Sequence, residues 1–558
     1  MRAKRAKVIP LVIAVLAVLA EAAPAAAQAK GASAIRAEDM KFHMQFLGAP
    51  EFKGRNMPST ELEIASRYIA LAAQRIGLAP LLADGSYFQD MPLEVARIAD
   101  LSRIGVTAAG VVTQLPVSMF GVRGRSVSGG VASGGVVLLG LGANAPALGW
   151  DDFAGLDLKG KVVVILDAPL PASHALRQPD NRALVSARVT LARQKGAVAV
   201  LTVVSKEREA ALVKAGVPFL NLDRGRALDI QTTTSPASQA TAAAPPSALF
   251  SIDLRHDAAC ALLGTTRAEL AQMFDTIGHG QRVTPRDMPE RVVDVTVNVD
   301  TRRAAARNVV AWIEGSDPVL KNEYIVLGSH HDGIGYREDA VFPGADDNIS
   351  GVVAMFSIGK ALMIERPKRS VVFVWHTGEE KGLLGAYYFV QHSPVPVEKI
   401  SANLNMDMLC RNDPNSIYLI GSNKVSTELD AAINETNRKF TKLNLDYKYQ
   451  EPTHPDRFFF RSDQYPYIRY GIPGVWFFCG TTDDYHQPTD LEERVDYAKM
   501  ERVTKLVYYT AMAIGNRPGM LKLDVNPRIT ARGKHNMQID WQAAPQRTQS
   551  SADSRGIR

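Results

Sequence analysis

The sequence is short of cysteine, with three in 558 residues: Cys260, Cys410 and Cys479. Cysteines so few and so widely spaced make no disulfide framework, and at most one bridge can close within a chain. Stability must therefore come from a buried core, and Cys410 and Cys479 are expected to be buried thiols. An excess of either charge is also lacking. The formal net charge is +6, and it falls to +3 without the first 28 residues, which hold Arg2, Lys4, Arg5 and Lys7 against Glu21. So mild a balance gives no reason to expect nucleic acid as a partner. Nor is there an apolar segment of twenty residues beyond that leader, so no stable membrane insertion is expected after it.

What is present is a globular composition, 46% hydrophobic and 22% charged, over a length that calls for two or more domains. The leader itself, residues 1–28, has a basic start, an apolar run from Val8 to Ala20 and small residues after it. That is the layout of a secretory signal peptide, and it predicts an exported protein, periplasmic or extracellular. Residues 34–99 open the folded part. Glu61 to Ile76 shows helical spacing and ends at Gly77, and the helical character is expected to run to about Val95. Residues 100–285 shift toward Gly, Val and Ala and predict a separate β-rich lobe, with a helix over 184–195 and a low-complexity surface loop over Thr232 to Pro246. No cluster of ligand-type residues lies there. Regular α/β patterning returns over 286–517, with strands at 308–313, 324–329, 371–375, 403–406 and 474–478 and helices between several of them. This predicts a three-layer α/β domain on a mixed, mainly parallel sheet, followed by a partly disordered tail, 518–558.

The stretch from Tyr324 to Asn348 organises this domain. An apolar strand ends in Ser329-His330-His331-Asp332, a Gly/Pro loop delivers Asp346 and Asp347, and an apolar helix begins near Ser350. Other strands lead in the same way to Glu379 and Glu380, to Asp407, and to Tyr485 and His486. Sites in open α/β sheets form outside the carboxyl ends of strands, so these loops could converge. Two His and three or four carboxylates, with no Cys, suit a hard-to-borderline divalent metal, zinc first. That many anions would repel one another around a single ion, whereas two ions sharing a carboxylate would balance them. On an extended segment His330 and Asp332 share a face and His331 points away, toward a structural or rim position. Asp332 can then hydrogen-bond a ring nitrogen of a neighbouring ligand. Of Glu379 and Glu380, one can bind metal while the other stays free as a base, and spacing does not choose between them.

The ordered set HxD, PGADDNxSG, GEEKGLLGA, NMDM and YHQPTD resembles the two-zinc aminopeptidase family that includes glutamate carboxypeptidase and the transferrin receptor ectodomain. The resemblance covers roughly residues 290–515 and the opening helical segment, and the lobe resembles an inserted protease-associated domain. It implies a zinc-exopeptidase-like fold and two Zn²⁺ ions: Asp347 bridges, His330 and Asp407 complete one site, and Glu380 and His486 complete the other. It makes Glu379 the general base toward a metal-bridging water, puts Asp332 behind the ligands, and gives Tyr485 a part in polarising the substrate carbonyl. Asp346 becomes a supporting residue. At Ser462-Asp463-Gln464 the chain has Gln464 where the family often has His.

The activity so implied is hydrolysis of N-terminal peptide bonds, with peptides carrying a free N-terminus as substrates. A carboxypeptidase of the glutamate carboxypeptidase type is the alternative, and it would need Arg303, Arg337, Arg411 or Arg461 in the pocket. A glutaminyl cyclase uses one metal and a smaller ligand set. A non-catalytic receptor-like binding module would be expected to have lost ligands, which this chain retains.

Overall fold

The computed structural model describes residues 31–525, apart from 100, 123–128, 179–180, 182–183, 186, 216–223, 228–249, 338–339, 452–453 and 455, together with 532–533. The leader, the whole of the low-complexity loop and nearly all of the tail beyond residue 525 lie outside the described residues.

Two helices lead into the larger sheet: α1 (Ala37–Leu47) and α2 (Thr60–Ile76). Ser59 caps α2 by accepting from the Leu62 N–H, and Gly77, at φ 98°, closes it. The chain then runs through strands β1 (Phe88–Ile98), β2 (Val299–Ile313), β3 (Tyr324–His330), β4 (Ser370–His376), β5 (Ile400–Met406), β6 (Ser416–Ile420) and β7 (Gly474–Phe478). Helix α3 (Ser350–Ile364) follows β3, and α4 (Tyr497–Gly515) closes the domain. Their order in the sheet is β1-β2-β4-β3-β5-β7-β6, with short strands Arg224–Ala227 and Asn444–Asp446 at the edges. The four central strands, β4, β3, β5 and β7, are mutually parallel, and the pairs β1–β2, β2–β4 and β7–β6 are antiparallel. The sheet is therefore mixed with a parallel centre rather than parallel for most of its width.

Alternation along each strand divides its side chains between two apolar layers. Ile325, Leu327, Val371, Phe373 and Trp375 pack with α1 to α4 on one face. Val326, Val372 and Val374 pack with Ala386, Phe389 and Tyr467 on the other. Strands buried on both faces read as unbroken apolar runs, which is why these were legible in the sequence. Helix α3 is also apolar all round: the stretch Ala345–Ile364 is long and apolar enough to cross a membrane, but 83% of it is buried inside the fold, as a core helix is.

The lobe has its own eight-stranded sheet and its own apolar core. Strands Gly130–Gly140, Val162–Leu166, Ala199–Val203 and Phe250–Leu254 run parallel at its centre. Helices Arg188–Gln194, Lys206–Ala215, His256–Leu263 and Arg267–Gly278 accompany them, so the lobe is mixed rather than simply β-rich.

Three boundaries differ from the sequence reading. Strand Arg286–Val297 pairs with Gly130–Gly140 and Arg103–Ala108, so the lobe's sheet extends past residue 285 to Val297. Alternation of apolar and polar residues here shows a half-buried strand without naming its partner, so spacing along the chain groups it with the domain that follows. Phe88–Ile98, expected to continue the helical opening, is instead a strand paired along β2. Residues just past 517 are packed: Leu521 is buried and its N–H donates to Ser401 Oγ.

Candidate metal centre

The site lies at the carboxyl ends of the four parallel strands. His330 is the last residue of β3, Asp407 follows β5, Glu379 and Glu380 follow β4 by one short turn, and His486 follows β7 by a longer loop. Asp347 sits between β3 and α3, in the turn that starts at Gly344. Gly344 is left-handed (φ 65°), and a Cβ there would come within 2.1 Å of the Asp347 carbonyl oxygen. Gly351 lies so close to β5 that a Cβ would sit 2.2 Å from Met406 O. The glycines of PGADDNxSG thus let the Asp347 turn press against the sheet.

Asp347 stands at the centre of the cluster. One of its oxygens is 3.3 Å from His330 Nε2, and the other is 3.1 Å from His486 Nε2. His330 Nε2 is also 3.4 Å from Asp407 Oδ1, and His486 Nε2 is 3.3 Å from Glu380 Oε1. Two groups able to hold a cation result, His330–Asp347–Asp407 and Asp347–Glu380–His486, and they share Asp347. Among the described residues, no other group of three His, Cys, Asp or Glu does so.

Glu379, whose carboxylate lies 4.0 Å from His330 Nε2, is in neither group. Burial, with Glu380 and Asp407 nearby, pushes its carboxyl well above the ordinary range. Against the lowering effect of burial, Asp347 and Glu380 raise the His486 imidazole to about 10.

The residues fit divalent metal. His330 Nε2, Glu380 Oε1 and Asp407 Oδ1 are buried without a hydrogen-bond partner, and all three face the cluster. A buried polar atom left this way is costly unless something binds it. His330 Nδ1 lies 3.1 Å from the carbonyl of Asp332, so this nitrogen carries the proton and Nε2 presents its lone pair. Among the described residues, no Arg or Lys forms a salt bridge with Asp347, Glu379, Glu380 or Asp407.

Surrounding groups hold this geometry. The Asp332 side chain, expected on a ligand's ring nitrogen, instead accepts the backbone N–H groups of Glu379 (3.1 Å) and Glu380 (3.3 Å). Its carboxylate is 3.7 Å from His330 Nδ1, whose bond goes to the nearer backbone carbonyl. His331 does not reach the rim: it is buried between Ser66 Oγ (2.9 Å) and the His376 carbonyl (2.7 Å). Ser462 Oγ donates to Asp407 Oδ2 at 2.5 Å and receives from Asn405. Gln464 turns away, donating to the Phe459 carbonyl. Asp346 accepts from the thiols of Cys410 and Cys479, at 3.0 and 3.2 Å, so both buried cysteines support the turn that carries Asp347.

Three supports had no sequence signal strong enough to single them out. Asp490 accepts the backbone N–H groups of Asp346 and Asp347 and is paired with Arg411 at 2.8 Å. It is the last residue of YHQPTD, so that motif carries both His486 and an anchor for the Asp347 turn. Asn348 donates to Met406 O and accepts from the N–H of Gly351 and Met408, tying β5 to α3. Arg55, fully buried, donates to the carbonyls of His331 and Pro343. Of the arginines considered for a carboxypeptidase, Arg411 is taken up by Asp490 and Arg303 lies on β2 beside β1. The Arg337 side chain lies outside the described residues, and Arg461 lines the crevice over the metal groups.

Buried and half-buried His and carboxylates around a shared Asp, at the carboxyl ends of parallel strands, form a centre able to hold two divalent cations. Residues 308–511 match Peptidase family M28. The chain is similar to the probable leucine aminopeptidase 2 of Aspergillus oryzae, 33% identical over 195 residues, which are 34% of this chain and 36% of that protein. It is 28% identical to leucine aminopeptidase 2 of Trichophyton rubrum over 269 residues, 43% of this chain and 52% of that protein. The chain thus spans about a third to a half of the length of these relatives. In fold it is similar to the aminopeptidase from Aneurinibacillus sp. strain AM-1, with a TM-score of 0.51 at 18% identity, covering 90% of this chain and 99% of that one. A zinc aminopeptidase from Bacillus subtilis is similar too, with a TM-score of 0.52 at 16% identity, covering 87% and 96%.

Proposed function

We propose that this protein is an exported zinc aminopeptidase that binds two Zn²⁺ ions and removes N-terminal residues from peptides. The observation that carries the reading is the pair of ligand groups sharing Asp347, with Glu379 beside them and outside both. His330, Asp347 and Asp407 would hold one ion, and Asp347, Glu380 and His486 the other. Bound there, such ions acidify water and polarise a carbonyl. Glu379 takes the proton of the attacking water and returns it to the departing amine. Its carboxylate stands free for this because its neighbour turns to His486, and Asp332 holds the backbone of both. Tyr485 stacks on His486 with ring centroids 3.8 Å apart, and its oxygen lies 2.8 Å from Arg461 Nη2. That donor occupies a lone pair and leaves the phenol proton to donate to the substrate carbonyl oxygen. The basic-then-apolar leader supports export, and the lobe is assigned to narrowing access to the cleft, as an inserted protease-associated domain would.

Release of amino acids by the zinc-loaded protein from peptides with a free N-terminus, but not from their N-acetylated forms, is the expected result. Equal release from blocked peptides, or release from the C-terminus, would replace this reading with the carboxypeptidase one.

A further inference from the structure

The crevice above the metal groups has two kinds of wall. Its lining includes the carboxylates Asp347, Glu379 and Asp407 and the apolar side chains Met408, Phe458 and Phe478. An apolar wall takes an uncharged side chain and needs nothing more. Arg461, exposed to solvent, lines the same crevice from the turn between Phe460 and Ser462. Its guanidinium carbon lies 5.0 Å from the ring centre of Phe458 and 5.8 Å from that of Tyr485, within cation–π range of both rings. One N–H donates to Tyr485 at 2.8 Å. Among the described residues Arg461 forms no salt bridge with a carboxylate, although nearly every other cation near this site is committed: Arg411 to Asp490, Arg494 to Asp484 and Arg55 to backbone carbonyls.

A solvent-facing arginine beside two rings, with N–H groups left over, suits a planar anion at the substrate end of the crevice. We infer that Arg461 is a specificity-determining residue that recognises a carboxylate on the substrate. The inference rests on the proposed aminopeptidase reading and adds the chemical class that the enzyme prefers. Two sources supply such a group: the acidic side chain of the N-terminal residue, or the C-terminal carboxylate of a dipeptide whose scissile bond lies at the metals. Arg461 lines the same crevice as Glu379 but belongs to neither metal group, so it is assigned to substrate selection beside its hydrogen bond to Tyr485.

The test compares isosteric pairs on the zinc-loaded full chain. Glu- and Gln-anilides probe the side-chain source, and Leu-Leu and Leu-Leu-amide probe the main-chain source. Wild type should favour the charged member of one pair in kcat/KM by roughly tenfold or more, the scale of a charge-assisted hydrogen bond. R461Q should collapse that ratio toward one, and R461K, which keeps charge without the planar fork, should retain part of it. Which pair responds identifies the source. No preference in wild type, or an R461Q variant that lowers all four substrates in proportion, would overturn the inference and leave Arg461 as a support for Tyr485. If the wild type hydrolysed none of the four, the aminopeptidase reading itself would fall, a different result from either of these.

Discussion

The two sheets of this protein are built alike and end differently. Each has four parallel central strands of apolar residues, and each carries acidic residues at or near strand ends. In the lobe those acids are neutralised one by one: Asp167 pairs with Arg188 at 2.6 Å, Asp253 with Arg208 at 2.9 Å, and Asp152 with Arg282 at 3.1 Å. In the larger sheet's domain, which matches Peptidase family M28, Asp347, Glu379, Glu380 and Asp407 converge with two histidines and form no salt bridge to an Arg or Lys among the described residues. A carboxylate after a strand is therefore no sign of a site by itself. The sign is several of them left without a cation, because folding would not gather such charge unless something else were to bind it.

The comparison breaks most sharply at Asp347, the one residue common to both groups. Asp347→Ala should bring zinc from about two ions per chain toward none and abolish turnover, measured by metal analysis and anilide hydrolysis. A variant that kept one tightly bound ion and full activity would show that the two groups are independent. The next effect separates Glu379 from Glu380. Glu379→Gln should keep zinc and lower kcat by roughly 10²–10⁴-fold, whereas Glu380→Gln should lose metal as well as activity. The reverse pattern of zinc content would exchange their roles.

The smallest effect on chemistry should come from the lobe. Leu201 and Leu404 are both fully buried on central strands, one in each sheet. Either changed to Ala should cost about 2–5 kcal/mol of stability, read by denaturant unfolding. Only Leu404→Ala, three residues before Asp407, should also weaken zinc binding; loss of zinc in Leu201→Ala would contradict the separation of the two regions.

Much of this was legible along the chain. Strands β3, β4, β5 and β7 announce themselves because burial on both faces demands unbroken apolar runs, and each polar break at a strand's end is local. The end of α2 at Gly77 and the start of α3 near Ser350 were legible for equally local reasons, whereas the Ser59 cap came from the structure. The five candidate ligands, together with Glu379 and Tyr485, could be named from motif order and the family resemblance it carries.

Partnership was decided by the tertiary structure alone. That Arg286–Val297 joins the lobe's sheet, that Asp332 grips the Glu379–Glu380 backbone, and that Asp490 anchors a turn some 140 residues away are all nonlocal pairings. Periodicity records which face of an element is buried and carries nothing about what buries it. The same holds for Arg461. In sequence it is one of four arginines near ligand motifs, and only the packing of Phe458 and Tyr485 around it sets it in the crevice. The sequence by itself thus determined the elements and the chemistry at their ends. The fold decided which charges meet, because electrostatic pairing depends on distances that only closure of the sheet creates.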